Sequence, residues 1–337
     1  MFFVEKNTPK IWYLPVESIG GAATSINLGS VFRRGGNVLF GATWSLDSGE
    51  GIDDVCIFAS TNGEIAVYAG TDPAQSSTWA LAGVYDIAKP LDKHAHFKAG
   101  GDLAILTKDG VIPVSEALRK DRGALQAVAI TYPIEDVWAD VVSGATASYP
   151  VSSMLWQSKT ILLIGTPQMV DNLNVALVAN ARTGAWSRVL GWDVRCSAVA
   201  SDALYFADAA GLVLRADTGG TDNGKQYTGF YVPKFTDEGR AQVKVANHAG
   251  VTFRASENVH INVVGMADYQ VDAASAPVPA NVDSGDVWGT GDWGTFIWGT
   301  SEATKVFTKW KGIGAQGYSL SLGLLITSNQ VSALNFE

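Results

Sequence analysis

Residues 55–68 read Val55-Cys-Ile-Phe-Ala-Ser-Thr61, then Asn62-Gly63, then Glu64-Ile-Ala-Val-Tyr68. Asn-Gly between two runs rich in β-branched and aromatic residues is the strongest short-range hairpin signal, because a type I′ turn needs positive φ at both central positions. The pattern recurs three times. Asp102-Leu-Ala-Ile-Leu-Thr leads through Asp109-Gly110 to Val111-Ile-Pro-Val. Val175-Ala-Leu-Val-Ala-Asn leads through Thr183-Gly184 to Ala185-Trp-Ser-Arg-Val. Ala203-Leu-Tyr-Phe-Ala leads through Gly211 to Leu212-Val-Leu-Arg. The turn glycines Gly63, Gly110, Gly184 and Gly211 lie 47, 74 and 27 residues apart. Propeller blades recur at roughly 40–50 residues, so the first interval fits a blade repeat.

The 74-residue interval holds the one helical pattern. Pro133 opens a run that places Ile134, Val137, Trp138, Val141 and Val142 on one face, and Ser115 is expected to cap a shorter helix from Glu116 to Arg122. Helix is therefore expected near 114–143. A glycine-rich turn, Thr218-Gly-Gly-Thr-Asp-Asn-Gly224, marks a domain boundary. Beyond it lie alternating runs such as Val259-His-Ile-Asn-Val-Val and Tyr318-Ser-Leu-Ser-Leu-Gly-Leu-Leu-Ile, which read as antiparallel strands. The expected fold is all-β: a β-propeller-like body over 1–224, complete or partial, with the helical insertion, then an antiparallel, sandwich-like domain over 225–337.

Composition agrees. Of 337 residues 47 % are hydrophobic and 17 % charged, enough to bury a large core, while 36 Gly suit many tight turns. A net charge of −9 argues against a protein that grips nucleic acid, which needs clustered Lys and Arg; the densest basic patch, Arg119-Lys120-Asp121-Arg122, is interrupted by an acid. Cys56 and Cys196 sit in apolar contexts and read as small buried hydrophobes, with a disulfide left to geometry. No apolar run reaches the roughly 18 residues of a membrane span, and Met1-Phe-Phe-Val-Glu-Lys6 lacks the charged-then-apolar order of a signal peptide. A soluble protein made in a reducing cytoplasm is expected.

Catalytic motifs do not assemble. Gly312-Ile-Gly314-Ala-Gln-Gly317 matches G-x-G-x-x-G, but a strand pattern follows where a dinucleotide site needs a helix, so it reads as a glycine-rich β-turn. His94 and His96 have the spacing of two metal ligands on a strand, without an evident third. His248 reads as a loop residue, and His260 as the polar face of a strand. The adjacent acids Asp53-Asp54 and Glu135-Asp136 would point to opposite faces of a strand rather than form an acid pair. No catalytic residue, cofactor or metal is expected.

Two features near the C-terminus stand out. Trp288, Trp293 and Trp298 recur every five residues, each followed by Gly, a period fitting neither a helix face nor a strand face. They are expected as interface aromatics, with stacking on a sugar as the alternative. Between Ala255 and Thr304 there are seven acids and no Lys or Arg. Asp283, Asp286 and Asp292 are the candidates for an acidic lining, solubility being the bland reading.

An ordered set of segments resembles the tail nozzle, or packaged-DNA stabilisation, proteins of short-tailed bacteriophages. It comprises Phe2-Phe-Val-Glu-Lys-Asn-Thr with Ile11-Trp-Tyr-Leu-Pro-Val, Gly20-Gly-Ala-Ala-Thr, Leu28-Gly-Ser-Val-Phe, Thr78-Trp-Ala-Leu-Ala-Gly-Val-Tyr, Lys98-Ala-Gly-Gly-Asp-Leu, Asp109-Gly-Val-Ile-Pro-Val-Ser, Thr183-Gly-Ala-Trp, Gly191-Trp and the Trp288/Trp293/Trp298 ribbon. Together they cover nearly the whole chain and correspond to about the C-terminal two-thirds of the family. The resemblance implies a propeller-like body and a virion protein assembled in the host cytoplasm. It further implies a ring of copies, a hexamer, below the portal, contacting other tail and head-to-tail connector proteins, with DNA passing through without specific binding. Family members carry a long section ahead of the Phe2-Phe-Val-Glu-Lys segment, where this chain opens, so propeller closure and blade number stay open. The alternatives are a carbohydrate-binding or carbohydrate-active β-propeller and an extracellular adhesin.

Overall fold

The computed structural model describes residues 1–47, 52–145, 151–255, 261–271, 277, 305–328 and 334–336. Among these the fold is all-β, with twenty-three strands and three short α-helices. The chain divides into two compact units, Met1–Ala216 and Asp217–Glu337, a divide eight residues ahead of the one expected at 224/225.

The first unit is a series of five antiparallel meanders. The first is β1 (Phe2–Val4), β2 (Lys10–Tyr13) and β3 (Thr24–Asn27); the second is β4 (Val38–Asp47), β5 (Ile52–Ser60), β6 (Glu64–Gly70) and β7 (Trp79–Asp86). The third is β8 (His96–Ala99), β9 (Asp102–Thr107) and β10 (Gly110–Pro113). Three helices follow, α1 (Val114–Ala117), α2 (Arg122–Leu125) and α3 (Glu135–Gly144). The fourth meander is β11 (Ser152–Trp156), β12 (Ile161–Val170), β13 (Leu173–Asn180) and β14 (Trp186–Leu190), and the fifth β15 (Cys196–Ala200), β16 (Ala203–Ala207) and β17 (Val213–Arg215). Each of the four hairpins read from the sequence belongs to a different meander.

Strand alternation explains why these runs are apolar throughout rather than every second residue: both faces of the middle sheets are buried. In the second sheet Ile57, Ala59, Ile65 and Val67 pack with Leu103, Ile105 and Ile112 of the third. Their neighbours Phe58, Ala66 and Tyr68 pack with Ile11 and Leu28 of the first. The third sheet turns Ala104, Leu106 and Val111 toward Leu162, Ile164, Leu177 and Ala179 of the fourth, with Trp138 and Val141 of α3 in the same cluster. The fourth turns Leu163 and Ala176 toward Leu204 and Phe206 of the fifth. Among the described residues no core cluster joins the first sheet to the fifth.

Local details differ from expectation. The β5–β6 turn is not type I′: only Gly63 has positive φ (86°). The loop is Thr61-Asn62-Gly63, with the Gly63 N–H donating to Ser60 O at 3.2 Å, the three-residue form that needs one left-handed position. A β-carbon on Gly63 would lie 2.5 Å from Ile87 O, so close packing also selects glycine there. Ser115 does not cap a helix; its hydroxyl donates to Asp102 at 2.6 Å, and the expected helix is two short turns, α1 and α2. Glu135 and Asp136 stand in the first turn of α3, not on a strand, where acids complement the helix dipole. Cys196 is exposed and Cys56 half-buried, and they are not bonded to each other, so the expected burial fails for Cys196.

One buried charge fixes the connection between the first two sheets. Glu64 is fully buried and accepts the backbone N–H groups of Arg33 (3.1 Å) and Arg34 (2.8 Å). Arg34 reaches Asp86 at 3.1 Å, and Asn62 donates to Arg34 O at 2.9 Å. Charge-assisted bonds to paired amides meet the desolvation cost of the carboxylate.

The second unit holds two three-stranded antiparallel sheets. One has β18 (Tyr227–Tyr231), β22 (Leu320–Ser328) and β20 (Ile261–Ala267) in the order β18-β22-β20; the other has β21 (Lys305–Gly317), β19 (Lys244–Ala255) and β23 (Leu334–Phe336) in the order β21-β19-β23. They share a small core of Phe253 and Ala255 with Val251, Ile261, Phe307 and Ile326. Gly265 lets β20 approach β21, since a β-carbon there would lie 2.7 Å from that of Ala315.

Candidate functional site

Asp283, Asp286, Asp292, Trp288, Trp293 and Trp298 lie outside the described residues, as does His260. His94 and His96 are not brought together as ligands. His94 is exposed, while His96 stacks on Phe40 with ring centroids 4.3 Å apart and planes at 16°. Its Nδ1 is buried with no hydrogen-bond partner, and burial, then the nearby His94, lowers its pKa from the ordinary 6.5. Among the described residues no group of three His, Cys, Asp or Glu side chains could hold a metal ion, and no helix is long and apolar enough to cross a membrane.

Gly312 to Gly317 is not a turn but the end of β21, paired with β19 from Lys244↔Gly317 onward, with a bulge between Ala246 and His248. Gly314 takes the one left-handed position there, φ 55°. His248, expected in a loop, is in β19 opposite Gly312. The bulge is the reason the motif needs glycine, and it re-aims the side chains beside it.

In the first unit exposed apolar side chains occur along the whole series, with Ile19 (93 % accessible) and Val16 between β2 and β3, Leu81 in β7 and Tyr132 in the helical segment, and a further group lies on the late sheets. Met169 (60 % accessible), Val170 and Leu173 crowd the β12–β13 hairpin, and Leu212 and Val213 (71 %) flank the start of β17. The fifth sheet, last of the series, exposes four of the five residues of β15 and two of three in β17. At the other end of the series Met1 (63 %) and Phe3 (47 %) are exposed. Unsatisfied apolar area at both ends of a stacked array is what an interface requires.

In the second unit one face of the β19–β21 pair is built differently. The cross-strand pairs His248↔Gly312, Gly250↔Trp310, Thr252↔Thr308 and Arg254↔Val306 follow one another on that face. Trp310 is 74 % accessible. A β-carbon on Gly250 would lie 2.9–3.0 Å from the indole Cδ2, Cε2 and Cε3 together, so the ring lies flat over the glycine backbone and turns its other face outward. Gly312, two residues on, leaves the adjoining position without a side chain. The Thr252 and Thr308 hydroxyls are 3.2 Å apart. Strand alternation sends Lys309 and Lys311 to the opposite face. There the Lys309 ammonium sits 5.9 Å from the Phe253 ring, burial lowering its pKa, and Lys311 donates to Asn262.

The signal for Trp310 was present as Lys309-Trp310-Lys311-Gly312, whose alternation separates the indole from both ammonium groups. The glycine opposite comes from a strand 60 residues earlier, so only the register reveals it. No protein-family model matches the chain, and no curated protein matches it.

Proposed function

We propose that the chain is a structural subunit of a short-tailed phage tail, a nozzle or head-to-tail stabilisation protein. In this reading its copies form a ring, a hexamer, around the DNA exit channel, and it is not an enzyme. The observation that carries the reading is the serial order of the first unit: five meanders, each packed on the next, with apolar side chains exposed at the two ends. Each meander is a blade of a propeller-like body. The ordered segments that resemble the nozzle family, apart from the Trp288/Trp293/Trp298 ribbon, lie between Phe2 and Trp192, in or beside the first four meanders, and support the same reading.

The fifth sheet then receives a neighbouring chain, in a head-to-tail contact of the kind that closes into a ring. Other tail and connector proteins stack above and below. The wall facing DNA is assigned to Asp283, Asp286 and Asp292, and the intersubunit aromatics to Trp288, Trp293 and Trp298.

Assembly tests the reading directly. Negative-stain imaging and light scattering of the purified chain, alone and with portal and tail partners, should show rings. Val213→Asp should return them to monomers, with an unchanged circular-dichroism spectrum because Val213 is exposed. A protein that stays monomeric under all these conditions, or rings indifferent to Val213→Asp, would remove the head-to-tail interface from the reading.

A further inference from the structure

We infer that the outer face of the β19–β21 strand pair is a glycan-binding platform centred on Trp310. The inference is independent of the ring assembly, and it uses none of the tryptophans at 288, 293 and 298.

The geometry is that of a stacking surface. An exposed indole on a strand normally stands off the sheet, where water surrounds both faces. Here the ring is laid flat, because Gly250 has no side chain to lift it: any β-carbon would meet three ring atoms at 2.9–3.0 Å. One face is thereby backed by the strand, and the other, within a residue 74 % accessible, is presented to solvent. A planar, partly apolar surface fixed in this way suits the apolar C–H face of a pyranose ring, whose hydroxyls then point sideways.

The neighbours fit that edge. Thr252 and Thr308 offer two hydroxyls on the same face, each with acceptor capacity beyond their mutual contact at 3.2 Å. His248 lies on the other side of the indole, opposite Gly312, with Arg254 beyond the threonines. Gly250 and Gly312 leave the two positions beside the ring low, so a sugar chain can lie across the strands.

The charge pattern decides between a glycan and a single-stranded nucleic acid, the other polymer that stacks on tryptophan. Nucleic-acid affinity rests on several Lys or Arg contacts to phosphate beside the stacking ring. Lys309 and Lys311 flank Trp310 in sequence, yet both ammonium groups are engaged on the opposite face, one against Phe253 and one by Asn262. Among the described residues the Lys and Arg side chains on the indole face of the pair between His248 and Arg254 come to one, Arg254. That is too little for a polyanion and sufficient for a neutral or singly acidic sugar.

Isothermal titration of the full chain with cellohexaose, maltohexaose, a chitin hexamer and an oligogalacturonate, and separately with oligo(dT), tests the inference. At least one of the sugars should bind at millimolar or lower concentration. Trp310→Ala should weaken that binding by about tenfold or more, the size expected when a central aromatic anchor is lost. Gly250→Ala keeps the indole but lifts it from the strand, and should weaken binding with Trp310 intact. Thermal midpoints and circular dichroism of both variants separate this loss from unfolding, and saturation-transfer NMR with the same sugar should show its C–H face protons in contact with the wild type and lose that signal in Trp310→Ala. Absence of binding to every sugar tested, undiminished affinity in both variants, or binding to oligo(dT) alone would each overturn the glycan platform.

Discussion

His96 carries a pH dependence that can be worked out from its surroundings. Its ring lies on Phe40 in a stack that couples the second and third sheets, and its Nδ1 is buried without a partner. Burial, with His94 adding a smaller contribution, lowers its folded pKa below 6.5. The unfolded chain therefore takes up this proton first as the pH falls. Stability from His96 is fully present above about pH 6.5 and is lost progressively as the pH drops toward the lower folded value. Urea midpoints across that window should fall for the wild type and fall less for His96→Phe, which keeps an aromatic stack. Parallel pH profiles for the two proteins would show that His96 is not the source. Glu64 is the contrast: fully buried where His96 is half-buried, its carboxylate accepts the amides of Arg33 and Arg34, whereas the buried imidazole Nδ1 has no hydrogen-bond partner.

At the scale of elements, the close approach of successive sheets is set by glycines whose need is invisible in their own segment. A β-carbon on Gly165 of β12 would lie 2.2 Å from Val194 O and 2.8 Å from Val194 Cβ, at the join of the fourth and fifth sheets. Because backbone blocks it, Gly165→Ala should cost about 1–3 kcal/mol, as overpacking does. Gly101→Ala, with nothing within 4 Å, should change stability by less than about 0.5 kcal/mol. Thermal melts of the two variants compare them directly, and equal midpoints would contradict the packing account. The four hairpins were legible because turn chemistry and strand propensity are local. So was α3, whose apolar spacing survives in the buried pair Trp138 and Val141. The first meander is not legible because its strands are three and four residues long, too short to show a period. The bulge in β21 reads as a turn because the sequence cannot show that eleven of the strand's thirteen residues stay paired around it. Trp310 is not legible for a related reason: only the strand register brings Gly250 beneath it.

For the whole molecule, the proposed channel wall has an electrostatic consequence. DNA carries one charge per ~1.7 Å of axis, so even one extra cation per subunit, repeated around a ring, makes a band of attraction. Particles with Asp286→Lys and Asp292→Lys should assemble normally and eject DNA more slowly, the effect fading as salt shortens the screening length to about 8 Å or less. Ejection rates that match the wild type at low salt would place these acids away from the DNA path. The composition speaks to this level only through sums. A net charge of −9 hides two strands, β19 and β21, that carry five bases and no acid, and alternation along β21 then keeps Lys309 and Lys311 off the face that bears Trp310.

The meander order also bears on how the chain is made. Every sheet of the first unit draws its strands from one continuous stretch, the longest from Val38 to Asp86, and its next neighbour in space is its next neighbour in sequence. At roughly 5–20 residues per second a stretch of that length leaves the ribosome within about ten seconds. Each sheet can then pair its strands before the following one exists and offer it a finished surface to fold on. At any moment during synthesis the growing end has only its newest sheet waiting to be covered by the next, so the nascent chain adds its sticky area one layer at a time.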